Sequence, residues 1–377
     1  MTLEDEETLR VVGVFLVTFV VFGFSASWGV LQLAFLASFA ILGGSLEAAF
    51  IFVIGPVAGP LIFKVGVRNV LILGSLILCL GVFLTSLIRS LWPLFFKVSL
   101  FAGVGSSMIF ITSISIPAKW FTKKQGLALG IAASGGGFGG TTMFEINPQL
   151  IATVGLPWAL RIQGLIRAAY RKKKAERCVD SKLLKMIHYD FLLLSAFLYG
   201  FGYLVTFFYI PSYAATKGFG AVNGSTAVAV YSAANGLGRL VLGTLGDVAG
   251  NFNMLILSNL LTGFLFLVVW NVTENLGALY TFSILGGFFS GGYWSVITAV
   301  VGQVVGLENL NTAMSILWLV NIPGFIFGGP ITSGILQASK DGSYTGAISF
   351  GGAFLFASGA VLLYSRFTLE KRLLAKV

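Results

Sequence analysis

Apolar runs of about 20 residues, divided by short polar or glycine-bearing breaks, fill this chain from end to end. They fall at Val11 to Val30, Leu46 to Phe63, Val70 to Ile88, Trp92 to Ile116 and Gly126 to Ile146, then at Phe191 to Tyr213, Ser225 to Leu245, Met254 to Val272, Leu276 to Val305, Ala313 to Leu336 and Thr345 to Tyr364. A helix rises 1.5 Å per residue, so runs of this length match a hydrocarbon layer about 30 Å thick. The pattern predicts an all-α membrane protein with eleven full spans. One further piece, Leu156 to Ile166, has 11 residues and would reach about 17 Å as a helix, too short to cross alone.

Charge decides how that piece is counted. The segment Arg167 to Lys185 holds Arg167, Arg171, Lys172, Lys173, Lys174, Arg177, Lys182 and Lys185 against only Glu176 and Asp180. If the short piece is a sixth crossing, loops after even-numbered crossings carry seventeen basic residues and loops after odd ones carry three. Cytosolic loops are the basic ones, so this count predicts six plus six helices with both termini cytosolic and helix six shortened. The expected organisation is an N-terminal transmembrane half at 1–166, a basic cytosolic connector at 167–188 and a C-terminal transmembrane half at 189–377.

Composition agrees. The chain of 377 residues is 56% hydrophobic and 10% charged, with a mean hydropathy of +0.92, whereas soluble domains are about 25% charged. The net charge of +10 therefore belongs to loops that face anionic lipid, and nucleic acid is not an expected partner. The acidic start, with Glu4, Asp5, Glu6 and Glu7, is the opposite of a signal-peptide n-region. Cys79 lies in an apolar run and Cys178 in the connector, so no disulfide is expected. The 48 glycines suit close helix packing in lipid. The run Gly135-Gly136-Gly137-Phe138-Gly139-Gly140 lacks the Lys-Ser or Lys-Thr of a phosphate loop, and with Gly126, Gly130 and Ser134 it reads as a packing face.

The two halves share a motif. Gly59, Leu61 and Gly66 after the second helix recur at the same spacing as Gly243, Leu245 and Gly250 after the eighth, with Phe63 standing where the second copy has Asp247. Lys64 and Arg68 lie in the first copy's loop. A carboxylate at a helix end can lock onto facing cations or a helix N-terminus, so these residues form a candidate gating motif: Gly59, Lys64, Gly66, Arg68, Gly243, Asp247 and Gly250.

This repeat resembles the loop motif of the major facilitator superfamily. Further stretches are similar to the fungal branch of the monocarboxylate transporter family: Gly29-Val30-Leu31-Gln32, Trp120 to Lys124 running into Gly126 to Gly135, Trp158-Ala159-Leu160-Arg161, and Asn235 through Gly238-Arg239 to Gly246-Asp247. The resemblance implies a major facilitator fold of two six-helix halves, alternating access and no cofactor. It also marks departures. The acidic-Gly-Gly-aromatic signature before helix one is absent, and the helix-one lysine and helix-eight aspartate of proton-coupled members fall at Ala26 and Asn235.

Arg239 is the leading functional candidate. It lies eight residues, about 12 Å, from the end residue Asp247, and an intramembrane arginine faces a cavity or a partner. Its planar fork matches a carboxylate. Asn235 and Tyr231, at i−4 and i−8, share its helix face. Asn321, beside Pro323 and with Pro330 further on, marks a helix whose prolines free backbone carbonyls. Lys97, Glu47 and Glu145 read as interfacial, and the lone His188 has no partner for a metal or catalytic pair.

The expected function is transport of a small organic anion, monocarboxylate-like, with Arg239, Asn235, Tyr231 and Asn321 at the substrate. The alternatives are an efflux transporter for a fungal secondary metabolite and a truncated, non-transporting family member; an enzyme is disfavoured by the lack of clustered His, Asp or Cys. The bilayer and one small molecule are the expected partners, with a monomer in the plasma membrane and no metal.

Overall fold

The computed structural model describes residues 3–26, 50–52, 66–85, 98–121, 124–168, 187–339 and 342–369. Nearly all of them are helical: α1 (Leu3–Ala26), α2 (Val67–Thr85), α3 (Gly103–Trp120, led in by a π-helical turn at Val98–Ala102), α4 (Gln125–Ala168), α5 (Ile187–Thr216), α6 (Ala221–Ala249), α7 (Asn251–Phe264, widening to a π-helix at Leu265–Trp270), α8 (Leu276–Val305), α9 (Leu310–Ala338) and α10 (Thr345–Leu369). Among the described residues five helices are long and apolar enough to cross a membrane: Ile187–Thr216, Asn251–Trp270, Leu276–Val305, Thr312–Ala338 and Thr345–Thr368. Backbone donors and acceptors closed within helices are what hydrocarbon demands. The protein is an integral, multi-pass membrane protein.

Gly59, Leu61, Phe63, Lys64, Glu47, Arg89, Lys97 and residues 169–186 of the connector lie outside the described residues. Arg68 sits in the first turn of α2. The described ends of the two motif copies match in backbone shape: Gly66 has φ of 80° and Gly250 has φ of 94°, each immediately before a helix. That left-handed turn is open to glycine at little cost, and it lets α6 end and α7 begin on one residue.

Sequence pattern placed the end of the fifth span at Ile146, but α4 runs through Pro148 and breaks only at Gly155 (φ 75°, ψ 161°). The break sits there because glycine tolerates the left-handed turn and Pro157, lacking an N–H, suits the start of the next helical piece. The remaining 156–168 are helical.

Two helices, α4 and α6, organise the packing around the centre of the structure. α4 packs along α1 on one side and along α6 on the other, and α6 packs in turn on α8. The glycines of α4 make this close approach: a Cβ at Gly135 or Gly139 would overlap the α1 backbone at Phe15 or Phe19, and one at Gly130 or Gly137 would overlap α6 at Arg239 or Gly236. Small residues that let backbones meet are the usual basis of helix association in lipid. α5 packs against α9 and α10, and α7 against α8 and α10.

Candidate functional site

Between α1, α4, α5, α6, α8 and α9 lies a cavity of about 570 Å³, its mouth included. α6 brings Ser232, Asn235 and Arg239 to it, α4 brings Gly136 and Gly137, and the rest of the wall is largely aromatic. Tyr203, Phe207 and Phe208 come from α5, Phe22 from α1, Trp294 from α8, Phe325 from α9 and Phe52 from the 50–52 segment.

Arg239 is 3% exposed. Its Nε donates to Asn235 Oδ1 at 2.9 Å, the i−4 residue one turn back. Its Nη1 donates to the Ala133 carbonyl of α4, which is reachable because Gly136 presents no side chain beside the guanidinium. The Trp294 ring lies 5.5 Å from the guanidinium carbon, a cation–π distance. Asn235 is itself fixed, its amide donating to Ser290 Oγ on α8 at 3.3 Å. The Tyr203 phenol lies beside the guanidinium, and its ring packs 5.1 Å from Trp294.

All these partners are neutral. They orient the fork and satisfy some of its five N–H donors, yet they do not cancel its charge, and among the described residues no Asp or Glu lines the cavity. The site therefore presents an oriented cation inside an aromatic wall, suited to holding an anion rather than to cleaving a bond.

The other sequence candidates are placed differently. Tyr231 is 1% exposed and sits behind the wall, between Phe207 at 5.6 Å and Phe282 at 6.3 Å. Asn321 is fully buried against Gly200 of α5, and its amide donates to the Leu317 carbonyl at 3.2 Å. Neither lines the cavity. Sequence reasoning missed Trp294, Phe52 and Tyr203. The spacing of Tyr199, Tyr203 and Phe207, one turn apart along α5, was the available sign of an aromatic stripe.

Asp247 lies at the end of α6 against the start of α4. Its Oδ1 accepts from the Gly126 amide at 2.8 Å and its Oδ2 from the Leu127 amide at 3.0 Å. The first amides of a helix have no internal acceptor and carry its positive end, so one carboxylate satisfies two of them. Gly243 meets Gly126 backbone to backbone just above.

The family model described as Major Facilitator Superfamily matches residues 10–253 and again 192–375. Three fungal proteins are similar over most of the chain. The MFS-type transporter pynF of Aspergillus niger is 30% identical over 97% of this chain and 89% of its own. The Fujikurins efflux protein of Gibberella fujikuroi is 28% identical over 88% and 74%. The riboflavin transporter MCH5 of Saccharomyces cerevisiae is 26% identical over 86% and 70%. Among solved structures, the human organic anion transporter MFSD10 (TETRAN) superimposes with a TM-score of 0.74 at 14% identity, covering 94% of this chain and 99% of that one. At that identity the likeness is one of fold.

Proposed function

The chain belongs to the Major Facilitator Superfamily and is a membrane transporter, and on that premise we propose that it carries an organic anion by alternating access, with Arg239 as the anion's partner. The observation that carries this reading is a buried guanidinium whose partners among the described residues are all neutral, in a cavity that none of the described acids lines. A bound carboxylate supplies the missing charge, and the fork receives it bidentately. Asn235 supports the guanidinium from one side. An asparagine cannot take up a proton, so coupling through this position is not part of the proposal.

The two rocking bodies are 1–166 and 189–377, joined by a cytosolic connector at 167–188, with both termini cytosolic and a monomer in the plasma membrane. The charge bias of the loops supports that orientation. The gating motif is the Asp247 latch, with Gly243 and Gly250 framing it and Gly59, Lys64, Gly66 and Arg68 as its first-half counterpart. Tyr231 and Asn321 back the wall rather than touch the solute.

A second reading, export of a secondary metabolite, is favoured by the aromatic wall, which is more apolar and more extended than a short monocarboxylate requires. The efflux role in the name of one fungal relative points the same way. Proteoliposomes loaded with a labelled aromatic carboxylate test both readings: efflux or exchange in the wild type, lost in Arg239→Gln with the fold retained, supports anion transport. No flux of any organic acid or its alcohol analogue would instead place the chain among non-transporting members.

A further inference from the structure

The Phe52 ring is the middle layer of a three-ring stack whose outer layers both belong to α9. Its centroid lies 4.9 Å from Trp318 at an interplanar angle of 22°, and 5.2 Å from Phe325 at 20°. Trp318 and Phe325 stand seven residues apart, about 10.5 Å along a helix axis. Phe52 therefore fills a slot between the two rings, its own plane within 22° of each. It is 2% exposed, and both it and Phe325 line the cavity. Pro323 lies between Trp318 and Phe325 in sequence, where it removes one backbone hydrogen bond of α9.

The slot is tied to the cation. Trp294 stacks on Trp318 at 5.3 Å and 14° and also neighbours the Arg239 guanidinium. Phe52 is 6.5 Å from Trp294, and the guanidinium carbon is 5.5 Å from it, so the Phe52 ring and the guanidinium are at most 12.0 Å apart. One molecule with a fused ring and a carboxylate spans such a gap.

We propose that Phe52 is a built-in occupant of a ring-binding slot, and that a flat, conjugated ring of the transported solute replaces it between Trp318 and Phe325 while the solute's acidic group meets Arg239. The proposal rests on the reading of the cavity as the solute site and adds the class of solute. Offset-stacked rings favour centroid separations of about 4.5–7 Å, so a ring in the place of Phe52 keeps both contacts. The exchange swaps one apolar flat surface for another, leaving neither plate bare. Because Phe52 precedes the connector and α9 follows it, the exchange also replaces a contact between the halves with a contact to solute. A saturated ring of the same skeleton is puckered and has no π face, so it gains less.

Binding of 2-naphthoate, 2-naphthalenemethanol and decahydro-2-naphthoate to the full chain in detergent tests this by calorimetry. The wild type is expected to prefer naphthoate over its saturated analogue by about tenfold. Phe52→Ala and Phe52→Leu, which remove the resident ring, are expected to raise that preference further, and Phe325→Leu, which removes a plate, to abolish it. Phe52→Leu keeps an apolar side chain of similar bulk, so it reports even where Phe52→Ala loses its fold. No preference in the wild type, or Phe52 variants that move all three probes equally, would overturn the slot. The two readings separate cleanly. A flat-ring preference that persists while Arg239→Gln binds naphthoate unchanged keeps the slot and removes the anion. Dependence on Arg239 with naphthoate and its saturated analogue bound alike keeps the anion and removes the slot.

Discussion

Asp247 accepts the Gly126 amide hydrogen on Oδ1 at 2.8 Å, joining the end of α6 to the start of α4 across 121 residues of sequence. Its other oxygen takes the Leu127 amide at 3.0 Å. The carboxylate is half-buried, and both its bonds and its charge favour the helix N-terminus. Asp247→Asn keeps one acceptor and loses the charge. The closed contact between these ends is expected to weaken by about 1–2 kcal/mol, a shift of about 5- to 30-fold in the balance of states. Distance distributions between spin labels on α4 and α6 report it; an unchanged distribution would show that the latch does not set the balance.

Removing the cation is the direct test of the site. Arg239→Gln is expected to weaken naphthoate binding by about 10- to 150-fold, since a hydrogen bond to a charged group contributes about 1.5–3 kcal/mol. Arg239→Lys recovers part of this because an ammonium lacks the planar fork. Calorimetry on folded protein measures it.

Asn235→Asp places a carboxylate one turn from Arg239, where the asparagine oxygen now accepts its Nε at 2.9 Å. An internal anion then competes with the solute for the same cation. Naphthoate affinity is expected to fall by about tenfold at neutral pH while the neutral naphthalenemethanol binds as before. Equal losses for both probes would indicate a distorted wall instead of competition.

Two glycine substitutions are expected to act in opposite directions. A Cβ at Gly137 overlaps the backbone of Gly236, whereas one at Gly334 meets nothing within 4 Å. Gly137→Ala is expected to push α4 from α6, with transport lost and the melting temperature lowered. Gly334→Ala is expected to keep transport and to gain about 0.5–1 kcal/mol of helix stability. Thermal melts and proteoliposome flux read both.

Orientation is testable at the two ends of the α5–α6 hairpin. Lys217 and Val248 are both exposed and stand near opposite ends of α6. With the basic loops cytosolic, Lys217→Cys is expected to react with an impermeant thiol reagent on intact cells. Val248→Cys and Lys173→Cys are expected to react only after permeabilisation. The reverse pattern would invert the topology.

The spans and the Arg239–Asn235 pair were legible because both depend on local spacing: run length for the first, one helical turn for the second. Asp247 was legible as a residue that could lock onto a helix N-terminus, but its partner was not, since nothing local links it to Gly126. The aromatic wall was hidden for the same reason. Phe52, Trp294 and Trp318 meet only when three distant segments pack, and in an apolar run each reads as one more lipid-facing or core residue. Tyr231 shares the helix-face spacing of Arg239 but packs behind the wall. Gly155 shows a different limit: run length ends the fifth span at Ile146, whereas the backbone turns at a left-handed glycine two residues before a proline.

Arg239 and Asp247 ride on one unbroken helix, eight residues and so about 12 Å apart. If the proposed roles hold, cargo recognition and latch sit on one helix with no loop between them. Thermodynamic reciprocity then applies to the pair: whatever factor the closed latch adds to solute affinity, bound solute must add to latch closure. On those roles, a variant that changes the coupling at one end is expected to change it equally at the other.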